Sequence, residues 1–99
     1  MATAMALALA GCAPGLSASA TDACNQHAYW VSGGQLEERR ERIAETVAEL
    51  LTADDPAELR TASAAMTAAL GSGDEAGFTA ASAAFADACG ENGWEPLEG

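Results

Sequence analysis

The chain has 99 residues, four of them basic against fifteen acidic, and a formal net charge of −11. That length admits one small domain, whose core is marginal without a staple. The acidity excludes nucleic acid as a partner and argues against attraction to anionic headgroups, because phosphates would repel such a surface.

The first 21 residues carry no charge at all. Ala2 to Ala10 is a short apolar run, about half of the ~20 residues that a membrane-spanning helix needs. It ends in Leu9-Ala10-Gly11-Cys12: small residues before a Cys. This arrangement resembles the lipobox of small bacterial lipoproteins. The resemblance implies a signal peptide over residues 1–11, cleavage between Gly11 and Cys12, and a diacylglyceryl group on the sulfur of Cys12. Residues 1–11 contain no Lys or Arg, although a signal peptide expects a basic start. The segment therefore reads as truncated at its N-terminus. Residues 12–21 read as the lipidated Cys and a flexible tether of Ala, Ser, Gly and Pro. On this reading the protein is exported and anchored to the outer face of the cytoplasmic membrane. The lipid, not the charge, holds it there.

With Cys12 taken by lipid, Cys24 and Cys89 remain, and export places them where disulfides form. A bridge over so long a loop would add roughly 4 kcal/mol of stability. The alternative is two free thiols buried as small apolar groups.

Residues 22–99 read as the folded domain, irregular from about 90. Asp22 is the expected N-cap of a first helix over 23–32, with Cys24, Ala28 and Val31 on one face and Gly33-Gly34 at its end. The clearest helix runs over 35–52, where Leu36, Ile43, Val47, Leu50 and Leu51 recur at helical spacing. On its outer side Glu38 and Arg42 form a favourable pair. Glu37, Glu41, Glu45 and Glu49 stack like charges four residues apart. That line is a candidate face for a basic envelope protein; its plain alternative is a solvated surface.

Asp55-Pro56-Ala57-Glu58 predicts a capped helix start, with Asp55 as cap and Glu58 reaching back. The helix continues through Leu59, Met66 and Leu70 to Gly71. Ser72 or Asp74 then caps a last helix with Phe78, Phe85 and Cys89 on its stripe and a stop at Gly90. No strand pattern occurs. The fold class is all-α: a small disulfide-closed bundle of three to four helices. The expected core is Leu36, Ile43, Val47, Leu50, Leu51, Leu59, Met66, Leu70, Phe78 and Phe85. Trp30 and Trp94 each follow a bridging Cys and are expected to cover the same end of the bundle.

Catalytic residues are not expected. Cys24 and His27 stand one helical turn apart, as a thiol and its base would, but a disulfide removes that nucleophile. His27 is the single His. No phosphate loop, nucleophile elbow or zinc motif occurs, so no metal and no cofactor are expected. Two functions remain. The first is a membrane-anchored, non-enzymatic interaction or structural module. The second is a small ligand carrier, for example of haem, using His27 and Tyr29; those two residues point to different faces of an ideal helix.

Overall fold

The structure, a computed structural model, describes residues 16–96. The Leu9–Cys12 motif, the lipidation expected at Cys12 and residues 12–15 of the tether lie outside them. Among the described residues four helices follow in order: α1 (Ala18–Ser32), α2 (Arg40–Leu50), α3 (Ala57–Ser72) and α4 (Glu75–Glu91), with a 3-10 turn, Glu37–Arg39, leading into α2. No strand occurs among the described residues. Cys24 and Cys89 are bonded, which closes the bundle between α1 and α4. The chain is a small all-α, disulfide-closed bundle.

α1 begins earlier than its sequence predicts. Ser17, not Asp22, is the N-cap, and its hydroxyl accepts from the Ala20 amide at 3.0 Å. Residues 18–21 of the expected tether are therefore helical, and the Leu16 side chain is buried. The Ala-rich stretch that reads as linker is also a strong helix former once capped. α1 buries Ala20, Ala23, Cys24 and His27, a face turned from the one expected.

α2 is shorter than its periodicity suggests, and at 11 residues is the shortest of the four helices. α1 ends at Gly33, and Gly34 takes φ 101 to turn the chain. Gln35 follows at φ 52, a region that residues with a Cβ rarely adopt. Leu36 is thrown outside the helix and is 46% exposed rather than in the core. Its carbonyl accepts the Trp30 indole N–H at 3.0 Å. Glu37 sits in the 3-10 turn, so the acidic line is not a single helical ridge. The expected Glu38–Arg42 pair does not form. Arg40–Glu75, at 3.5 Å, is the one ion pair among the described residues.

Asp55 does not cap α3. Its buried carboxylate accepts instead from the Thr52 amide at 2.7 Å, the Thr52 hydroxyl at 3.1 Å and the Ser17 hydroxyl at 2.9 Å. It thereby ties the loop before α3 to the N-terminus of α1. Glu58 accepts from Asn92 at 3.3 Å rather than closing a capping box. α3 runs past Gly71 to a left-handed Gly73, where the Asp74 amide reaches back to Ala69 O at 2.9 Å. Asp74 caps α4 by accepting from the Gly77 amide at 2.9 Å. A Cβ on Gly77 would collide with that carboxylate. α4 likewise passes Gly90 and turns at Gly93, where φ is 94.

The core is built largely from small side chains: Ala23, Ala44, Ala62 and Ala88 among Leu59, Met66, Val47 and Phe85. Leu50, Leu51 and Leu70 are only partly buried against it. Small residues let helices approach closely, so a few large side chains fill the remaining space.

Candidate functional site: the His27 recess

α1 and α4 run antiparallel, since Cys24 meets Cys89, His27 meets Phe85 and Ser82, and Trp30 meets Phe78. Along this seam lies the one buried imidazole. His27 is 2% exposed, and its Nε2 shares a 2.8 Å hydrogen bond with the Ser82 hydroxyl. The Phe85 ring lies edge-on to it at 5.0 Å. Burial removes water from the charged form and pushes the His27 pKa down to about 4. The ring is therefore neutral at pH 7.

Beside this pair the surface opens into a recess of about 180 Å³, lined by Trp30, Gln35, Arg40 and Phe78 as well as His27 and Ser82. Trp30 and Phe78 stand perpendicular, with centroids 5.9 Å apart. The Arg40 guanidinium lies over the Phe78 ring at 5.2 Å.

The structure separates several residues that the sequence groups together. Tyr29 is 80% exposed, whereas His27 faces inward, so they do not converge on a common ligand. Cys24 is bonded to Cys89 and is no nucleophile for His27. His27 and Ser82 form a dyad without a carboxylate hydrogen-bonded to the imidazole among the described residues. The two indoles lie at opposite ends of the seam rather than at the same end. Trp30 packs on Phe78, and Trp94 donates to Asn25 at 2.9 Å beside the disulfide. Both do pack against the core.

The acidic residues line a second surface. Glu38, Glu41 and Glu45 edge an open groove between α2 and the end of α3. Glu37, Glu41, Glu45 and Glu49 are all exposed. Among the described residues no group of three His, Cys, Asp or Glu could hold a metal ion, and no helix is long and apolar enough to cross a membrane.

Ser82 and Arg40 escape sequence reasoning. Ser82 sits on the stripe of α4 as one more small residue, and Arg40 reads as part of a charged outer face. Only the packing of α4 against α1 and α2 brings them to one recess.

The fold and recess define a compact helical module with a neutral buried histidine. No family model, curated protein or solved structure matches the chain.

Proposed function

We propose that this chain is an exported lipoprotein of the bacterial cell envelope, anchored through Cys12 to the outer face of the cytoplasmic membrane. It acts there as a non-enzymatic interaction or structural module. The observation that carries this reading is the Cys24–Cys89 bridge. Structural disulfides persist in oxidising compartments, which lie outside the cytoplasm. The chain has three cysteines, so pairing two leaves Cys12, at the end of the Leu9-Ala10-Gly11-Cys12 motif, as the one for lipid. The two acyl chains that the motif implies suit stable anchoring. The burial of Leu16 in the bundle, four positions after Cys12, also supports a module held close to the bilayer. The five residues from Cys12 to Leu16 span about 17 Å at most. The partner that suits the exposed acidic side chains of α2 is a basic envelope protein. The haem-carrier alternative draws no support from the placement of His27 and Tyr29.

Lipid attachment tests the proposal. Produced with a competent signal peptide, the mature chain should begin at Cys12, carry a diacylglyceryl mass there and partition into detergent. Cys12→Ser should stay unprocessed or move to the aqueous phase. An intact mass showing a mature chain with an unmodified Cys12 overturns the reading.

A further inference from the structure

The His27 recess differs from the remaining surface in its charge. Asp and Glu dominate the chain, yet among the described residues none lines the recess, and its one charged wall is Arg40. Arg40 is only partly engaged: its guanidinium face lies over the Phe78 ring, a contact that leaves its in-plane N–H groups for acceptors. It reaches Glu75 through Nη1 alone, at 3.5 Å, and the Glu75 side chain is 70% exposed. A guanidinium offers five donors in a planar fork suited to carboxylates. Most of that fork is left for another acceptor. The adjoining walls are two perpendicular aromatic rings, Trp30 and Phe78. Ser82, Thr79 and Gln35 add hydrogen-bonding groups. The size is informative too, since a cavity of about 150 Å³ takes up benzene.

The geometry points to a binding site for a small monoanion built on one planar ring, of the aromatic carboxylate class. The carboxylate pairs with Arg40 and the ring packs chiefly against the half-buried Trp30, since Phe78 is 2% exposed and lies under the Arg40 guanidinium. Aromatic walls favour a flat ring through edge and offset contacts. The cation favours a carboxylate over a neutral or cationic group. This site does not rest on the anchoring of Cys12, so either reading can fail alone.

The test is a titration of the oxidised, nitrogen-15-labelled protein with benzoate, followed by NMR. The two indole N–H signals serve as probe and control. Trp30 lines the recess, while Trp94 lies at the other end of the seam. Benzoate should shift the Trp30 signal saturably and leave Trp94 in place. Arg40→Gln should weaken binding about tenfold or more. Ala83→Leu fills the recess from an exposed position on α4 with a good helix former. It should abolish the shift, and an unmoved Trp94 signal reports that either variant remains folded. Benzyl alcohol, which lacks the charge, should bind more weakly than benzoate. A Trp30 shift that never saturates, equal affinity in Arg40→Gln, or equal movement of both indoles overturns the proposal.

Discussion

The α1–α4 seam and the α2 face hold the bundle together in different ways. The seam is joined by a disulfide, by the His27–Ser82 hydrogen bond, by the Trp30–Phe78 contact and by the Trp94–Asn25 hydrogen bond. Each of these joins specific atoms. α2 buries only Ile43, Ala44 and Val47, and reaches α4 through Arg40, which pairs with Glu75 and lies over Phe78. An ion pair whose carboxylate is this exposed adds little stability. In a core rich in Ala, area alone specifies the packing weakly. The seam supplies the specificity, and α2 presents a charged surface with few constraints on it. Perturbing the seam should therefore cost much more than perturbing the face.

Reducing the disulfide should have the largest effect. The bridge links positions separated by 65 residues, and opening it frees that loop in the unfolded chain. The expected loss is about 4 kcal/mol on the chain-entropy account. That approaches the whole stability of a small domain. Urea unfolding with and without reductant measures it. A midpoint unchanged by reduction would show that the other seam contacts suffice.

Acid should act on the same seam with a somewhat smaller effect. Unfolded His27 takes a proton near 6.5, whereas folded His27 takes one only near 4. Between those values the unfolded chain holds more protons, so stability falls as pH falls and is fully present above about 6.5. The loss attributable to His27 by pH 4 is roughly 3 kcal/mol. Below that, Asp55 adds to it. Burial alone would raise the Asp55 pKa, but hydrogen bonds from Thr52 and Ser17 together hold it below the usual carboxylate value. Its contribution is lost as pH falls through that lowered pKa. His27→Gln should be less stable than the parent at pH 7 and show a flatter pH dependence between 6.5 and 4. The same slope in both proteins would place the acid sensitivity elsewhere.

The two regions also differ in how far their sequences disclose them. The helices of the bundle and the Cys24–Cys89 bridge are legible, because helix-favouring Ala, turn glycines and two leftover cysteines agree. The buried face of α1 is not. It is made of Ala20, Ala23, Cys24 and His27, and a pattern of bulky apolar residues cannot reveal a face that has none. Leu36 misleads in the opposite direction. Its spacing fits the α2 stripe, but the turn through Gly34 and Gln35 places it outside. Gly71 and Gly90 look like helix stops, yet the chain turns at Gly73 and Gly93. A helix tolerates an internal glycine at about 1 kcal/mol, and the left-handed position decides where it ends. The recess depends on α1, α2 and α4 meeting, which no local pattern encodes.

The smallest expected effect belongs to the acidic face. Glu41, Glu45 and Glu49 lie four residues apart on α2, and all are exposed, while Glu37 sits beyond the helix in the 3-10 turn. Like charges at this spacing each oppose the helix by a few tenths of a kcal/mol. Position within the helix divides them further. Glu41 lies in the first turn, where the helix dipole favours an anion. Glu49 lies in the last turn, which has no basic residue, and there the dipole opposes it. Changing Glu37, Glu41, Glu45 and Glu49 together to Gln should leave Tm unchanged or slightly raised. Singly, Glu49→Gln should raise Tm and Glu41→Gln should not. If the face recruits a basic envelope partner, the fourfold variant should also lose that partner, and parent binding should weaken with salt as screening shortens to below ~10 Å. A fourfold variant that unfolds more readily than the parent would mean that these carboxylates hold α2 in place. The face would then belong with the seam as part of what specifies the bundle.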